Sequence, residues 1–236
     1  RPGTEIPEAV AVLDPKREDC DYPYKELCGC GVGFKLIQAM EQEKGLPVKT
    51  LVPYLDLVAT AIGADIVPIT GENRVLAFYG LDVINTLPRT GIQALIENVN
   101  KDELTITDVV FIIAPRINAA GRMKHGNHAV TLLTETDFNL AAEYAVDIDQ
   151  FNTDRKETDR RITEEALLQI EENNEQEGFT TVVYNESWHK GVIGIVASRL
   201  IETYYRPTLV FTKSGDKLAA SARSVKCFDV YNALEA

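Results

Sequence analysis

Asp137-Phe138-Asn139-Leu140-Ala141-Ala142-Glu143-Tyr144-Ala145-Val146-Asp147-Ile148-Asp149-Gln150-Phe151 opens the stretch that decides how this chain is organised, and Asn152-Thr153-Asp154-Arg155-Lys156-Glu157-Thr158-Asp159-Arg160-Arg161 continues it. Ala141, Tyr144, Ala145, Ile148 and Phe151 recur at helical spacing, and Ile162, Ala166, Leu167 and Ile170 resume that stripe. The ten residues between them are polar on every side. A helix over 137–177 with a polar middle is expected to bridge two domains through solvent, and Gly178 ends it.

The flanks differ in kind. Downstream the pattern is strand (Thr180–Tyr184), helix (Ile193–Tyr204), strand (Thr208–Thr212) and strand (Lys217–Ser221), then a helix from Val230. That is an α/β unit. Upstream, helices are expected over Leu27–Gln42, Leu51–Ala64, Glu72–Asn85, Gly91–Val99 and His128–Leu133. Ala9–Leu13 reads as a strand closed by Asp14-Pro15, Asp108–Ile113 as a strand or buried helix start, and Pro115–Arg122 as a loop.

Composition bounds the function. Of 236 residues, 45% are hydrophobic and 25% charged, which suits a globular chain with a sizeable core. No run of apolar residues is long enough to span a bilayer. The four cysteines, at 20, 28, 30 and 227, lack zinc-site spacing and read as reduced structural thiols of a cytoplasmic protein. The net charge of −12 argues against a nucleic-acid partner until it is located. Residues 135–177 carry fourteen acids and four bases, whereas 116–128 hold three bases and no acid, and 188–236 hold seven bases and four acids. The segments with binding potential are the basic ones. Neither a nucleophile-elbow serine motif, nor a P-loop, nor an H-E-x-x-H zinc motif is present.

Four places could carry chemistry. Asp65 follows ten nearly unbroken apolar residues, a costly position for an unpaired carboxylate, so it reads either as a ligand for Mg²⁺ or Mn²⁺ or as a helix-terminal cap. Asp56 competes for that role, although one exposed helix stripe would explain it. In Ala114-Pro115-Arg116-Ile117-Asn118-Ala119-Ala120-Gly121-Arg122, two guanidiniums flank an amide among small residues, a composition suited to phosphate or to a solvated turn. Trp188-His189-Lys190-Gly191-Val192-Ile193-Gly194 places glycines before a helix start, where backbone N–H groups meet anions, or where close packing needs them. Ser221-Ala222-Arg223-Ser224 combines two hydroxyls with one guanidinium, again suited to phosphate or to a polar turn.

These motifs, together with Leu27–Leu36, Leu55–Ala59, Ala64–Pro68, Asn73-Arg74 and Arg206-Pro207, stand in an order that resembles the RecJ-type exonucleases of the DHH phosphoesterase superfamily. The resemblance implies an α/β fold: part of a DHH domain (1–136), a connector helix (137–177) and part of a DHH-associated domain (178–236). It implies 5′-to-3′ hydrolysis of single-stranded DNA in repair and recombination, with two Mn²⁺ or Mg²⁺ ions. By position, Asp65 matches a catalytic metal ligand. Arg116, Asn118 and Arg122 match residues that hold DNA phosphate, and His189, Ser221, Arg223 and Ser224 match the phosphate-binding face of the associated domain. Helicase or single-strand-binding protein partners are implied as well. The family's N-terminal aspartates, its Asp-His-His triplet and its Gly-Gly-His motif do not occur in the sequence, and Cys30 and Ala220 depart from the usual small residue and glycine. The expectation is therefore an internal segment, inactive by itself. Two other readings remain open: a DHH phosphoesterase acting on short oligonucleotides or small nucleotides, and a non-catalytic nucleic-acid-binding relative.

Overall fold

The computed structural model describes residues 5–235 and divides the chain into two compact units. The first comprises residues up to Asn118 together with Ala129–Asp147. The second comprises Ala119–His128 and the residues from Ile148 onward.

The first unit is helical. α1 (Gly29–Glu43), a 3-10 segment (Val48–Tyr54), α2 (Leu55–Asp65), α3 (Gly71–Thr86) and α4 (Thr90–Ile96) follow in order. Cys28, Phe34, Leu51, Val58, Ile62 and Ala77 form their shared core. Pro53 marks the 3-10 segment, so the apolar run expected as one helix from Leu51 is two elements. Ala9–Leu13 forms no strand: Val10 is fully exposed and the segment runs as bends and coil. A single apolar run with no partner strand has nothing to pair with.

The next stretch overturns another expectation. A one-turn α5 (Ile106–Asp108), a π turn (Val109–Ile113) and α6 (Ala114–Met123) follow: of the two readings of 108–113 the buried helix start holds and the strand does not, and Pro115–Arg122 is helix rather than loop. Pro115 lacks the N–H that an α-helix would direct to the carbonyl four residues back, and its ring would collide there. The wider π turn immediately before it accommodates both defects. Ala119 and Ala120 are fully buried, so these small residues serve packing rather than ligand approach. α7 (Asn127–Thr134) follows.

α8 (Phe138–Glu172) is one helix of 35 residues, its residues through Asp147 counted with the first unit and those from Ile148 with the second. Its middle is not polar all round. Ala141, Ala145, Ile148, Asn152, Asp159, Ile162, Ala166 and Ile170 are all buried, at helical spacing throughout. The stripe persists with polar residues on it, because Asp159 is met by an arginine.

The second unit has a three-stranded sheet among the described residues, in the order β1 (Thr181–Tyr184), β2 (Thr208–Ser214), β3 (Lys217–Arg223). β1 and β2 are parallel and joined through α9 (Ile193–Thr203), whereas β2 and β3 form an antiparallel hairpin in which Val210 faces Ser221 and Thr208 faces Arg223. Ile162, Ala166 and Ile170 of α8 pack with Val183, Trp188, Val196, Leu200 and Val210 in one core. Trp188 donates its indole N–H to Glu165 at 2.7 Å, which holds the Glu165 carboxyl below its ordinary range. α10 (Val230–Glu235) closes the described chain.

Candidate phosphate-binding site

The two units hold pockets of different chemistry. One in the first unit, about 670 Å³, lies between α1, the 3-10 segment and α3 and is lined by Phe34, Val48, Leu51, Val52, Leu55, Val75 and Tyr79 among others. Its lining is chiefly apolar, and the two charged side chains on it, Lys35 and Glu72, pair with each other at 3.3 Å. In the second unit a cavity of about 380 Å³ is lined by Gly121, Arg122, Lys190, Gly191, Ile193, Gly194, Ala219, Ala220, Ser221 and Arg223. Three cationic side chains and a hydroxyl surround it, with no carboxylate. That is the chemistry of an anion site.

Local structure explains how these residues meet. The start of α9 abuts the end of α6, and Gly191 makes this possible: a Cβ there would lie 2.1 Å from the Arg122 carbonyl oxygen. Arg122 in turn donates from Nη1 to the Gly191 carbonyl at 3.2 Å while remaining exposed. Gly194 faces the hairpin, where a Cβ would stand 3.2 Å from Ser221 Oγ and 3.4 Å from Arg223 Nη2. Arg223 is fixed by its neighbours: Nε donates to Ser198 Oγ (2.9 Å), Nη1 to Ser221 Oγ (3.2 Å) and the Ala222 carbonyl (2.9 Å), and Nη2 to the Gly194 carbonyl (2.8 Å). Of the five guanidinium N–H groups, these bonds occupy four, so Arg223 supplies a rigid charge more than a free fork. Lys190 is exposed, with Nζ 3.2 Å from Ser214 Oγ.

The sequence-derived candidates separate. Arg122, Ser221 and Arg223 line one cavity. Ser224 turns away and accepts the Val230 N–H at 3.0 Å, fastening the start of α10. His189 does not line the cavity: its Nδ1 accepts the Gly191 N–H at 3.1 Å and its carbonyl accepts from Val192 and Ile193, so it shapes the turn. Lys190, its neighbour, is the residue that reaches the cavity. Arg116 donates to the Leu95 carbonyl within the first unit, and Asn118 is exposed. On α6, Asn118 and Arg122 are four residues apart and share a face, while Arg116 points elsewhere.

Asp65 is the exposed last residue of α2. Ile66 after it is left-handed at φ 52°, an uncommon state for a β-branched residue and one that clusters at functional positions. The Asp65 charge helps to raise the thiols of Cys28 and Cys30, though burial is the larger cause, and Cys30 is pushed up to about 11. The described residues contain no group of three or more His, Cys, Asp or Glu side chains able to hold a metal ion. Asp65 fits as one oxygen ligand, and the described residues do not complete a centre around it. Asp56 is excluded as a rival: it is fully buried and takes bonds from Arg89 Nε (2.9 Å) and Nη2 (2.8 Å) and from the Arg89 and Leu57 backbone N–H groups (3.0 and 2.7 Å). It lies on no exposed stripe.

Known proteins share this architecture and sequence. The DHHA1 domain family matches residues 176–236. The single-stranded-DNA-specific exonuclease RecJ of Bacillus subtilis is 39% identical over 237 residues, 99% of this chain. The chain belongs to the RecJ family. RecJ of Salmonella typhimurium is 36% identical over 250 residues, again 99% of this chain. RecJ of Thermus thermophilus in complex with Mn²⁺ superposes with a TM-score of 0.87 at 30% identity, covering all of this chain and 34% of that one. The mixed helical and α/β architecture is thus that of RecJ. The chain spans 29% of the length of the Bacillus relative and 43% of the Salmonella one.

Proposed function

We propose that this chain is the strand-holding part of a divalent-metal-dependent exonuclease that degrades single-stranded DNA from its 5′ end in repair and recombination. The observation that carries the reading is the convergence of Arg122, Lys190, Ser221 and Arg223 on one cavity free of carboxylates. Arg122 presents a planar fork to phosphate oxygens, Lys190 adds a mobile charge, and Arg223, locked by four hydrogen bonds, fixes where the phosphate settles. Gly191 lets the α9 start pack against the end of α6, and Gly194 leaves room for Ser221 and Arg223 beside it. A divalent cation, where bound, supplies charge neutralisation at the phosphoryl group and activates water, and Asp65 would be one of its ligands. A cytoplasmic setting, and protein partners that handle the same strand, such as a helicase or a single-strand-binding protein, belong to this reading.

The test is fluorescence anisotropy with 5′-phosphorylated single-stranded DNA. The chain binds the strand, Arg122→Ala weakens binding by about tenfold, as loss of a charged hydrogen bond predicts, and Asp65→Ala leaves binding intact. With Mn²⁺ present, the chain releases no mononucleotides, because the described residues assemble no group of three metal-ligating side chains. Processive release would contradict this, and a preference for dinucleotides over strands would favour the small-nucleotide phosphoesterase reading.

A further inference from the structure

Arg89, Arg199 and Arg223 each use the same edge of the guanidinium, the one formed by Nε and Nη2. Arg89 sets that edge on the Asp56 carboxylate (2.9 and 2.8 Å), and Arg199 sets it on the Asp159 carboxylate (3.0 and 2.8 Å). The edge matches the two oxygens of a carboxylate, and the pairing neutralises the cation. In Arg223 it meets two uncharged oxygens instead: Nε donates to Ser198 Oγ at 2.9 Å and Nη2 to the Gly194 carbonyl at 2.8 Å. Nη1 goes to Ser221 Oγ and the Ala222 carbonyl, so none of the four bonds reaches a carboxylate. No acid lines the cavity that Arg223 borders. The two uncharged oxygens lie one turn apart on α9, where Ser198 Oγ donates to the Gly194 carbonyl at 3.1 Å. A helical serine commonly bonds the carbonyl four residues back. Here that bond spends the hydroxyl proton, which leaves the Oγ lone pairs to accept from Arg223.

We propose that Ser198, together with the Gly194 carbonyl, is a positioning residue that immobilises Arg223 without neutralising it, so that the full charge is left for the DNA phosphate. The inference rests on the phosphate-binding reading of the cavity and adds the means by which its fixed guanidinium is held. Ser198 is exposed and does not line the cavity, so it acts through Arg223. A carboxylate at position 198 would hold Arg223 as still and cancel its attraction for phosphate. An apolar side chain there would keep the charge and release Nε. A hydroxyl does neither.

The experiment is a salt titration of labelled oligodeoxythymidylate binding by Ser198→Asp, Ser198→Ala, Ser198→Thr and Arg223→Gln, with melting temperatures recorded alongside. Ser198→Asp should weaken binding roughly tenfold, as for a lost hydrogen bond to a charged group. It should also flatten log K against log[salt] by about 0.7, the value for one phosphate contact on a single strand. Its melting temperature should hold or rise, since an ion pair replaces a neutral bond. Ser198→Ala should weaken binding roughly threefold and keep the wild-type slope, because the charge remains. Ser198→Thr retains the hydroxyl and should bind as wild type does. In the Arg223→Gln background, Ser198→Asp should flatten the slope no further, because the two changes act on one charge. Further flattening there would mean that the new carboxylate repels the strand directly, and would overturn the inference. A wild-type slope in Ser198→Asp beside a flattened one in Arg223→Gln would overturn it alone, as would wild-type affinity in Ser198→Ala. An unchanged slope in Arg223→Gln would overturn the cavity reading beneath it.

Discussion

Each unit contains an aspartate buried on a helix and bonded by two guanidinium nitrogens, yet the two pairs do opposite things. Asp56 and Arg89 form a closed system: the carboxylate takes four N–H groups, and Arg89 gives two of its three remaining side-chain donors to the Pro53 carbonyl (3.0 Å) and the Leu133 carbonyl (3.2 Å). The Arg89 side chain is only 21% exposed. Asp159 and Arg199 form an open one: Asp159 is as deeply buried, but the Arg199 side chain is 51% exposed and Arg155 brings a second guanidinium to the same carboxylate. The first pair is neutral and ties the 3-10 segment, α2, α4 and α7 together. The second is wider: Asp159 also draws Arg155 and Glu202 also draws Arg199, on the unit that holds the cavity lined by Arg122, Lys190 and Arg223. An identical pairing in isolation therefore says nothing about role. The charges around it do.

The largest effect should come from breaking the closed pair. Asp56→Ala strands Arg89 in a largely buried position and should cost about 3–5 kcal/mol in urea denaturation, the range for removing one partner of a buried pair. If Asp56→Ala costs no more than a surface substitution, the closed pair is not closed. Next, Arg199→Ala should cost about 1–3 kcal/mol, the penalty for an acceptor left buried. It should cost less than Asp56→Ala because Arg155 remains to face Asp159. Equal costs would erase the contrast. Smaller still, Glu165→Ala deprives the Trp188 indole N–H of its acceptor and should lower stability by about 1 kcal/mol.

The smallest effect is a titration. The Asp108 carboxyl, hydrogen-bonded by Lys101 and by the Thr105 backbone and hydroxyl, is held down to about 2. A depressed acid stabilises the fold above its unfolded value and loses that contribution as pH falls through the folded value. Stability should thus decline between about pH 4 and about pH 2, and Asp108→Asn should flatten that limb in denaturation curves.

Most helices and strands were legible in the sequence because their apolar spacing survives into the structure. α3, α9 and the β2–β3 hairpin stand within a residue or two of their expected spans. The reading misled where one residue type serves two ends. Pro115 and Gly121 signal a loop, yet the π turn lets a helix run through the proline. Asn152 and Asp159 interrupt an apolar stripe by composition but not by burial, and the partner of Asp159, Arg199, lies far along the chain. The candidate site was legible in part. Arg122, Ser221 and Arg223 stood in recognisable motifs, whereas the choice of Lys190 over His189 depended on which one the Gly191 turn absorbs.

The central claim is that the cavity beside Gly191 holds strand phosphate, and its most direct measurement is the salt dependence of single-stranded DNA binding by the double variant Arg122→Ala, Lys190→Ala. Removing two phosphate-binding charges should flatten log K against log[salt] by about 1.4 relative to wild type, with the fold intact by circular dichroism. A slope equal to that of wild type would contradict the account.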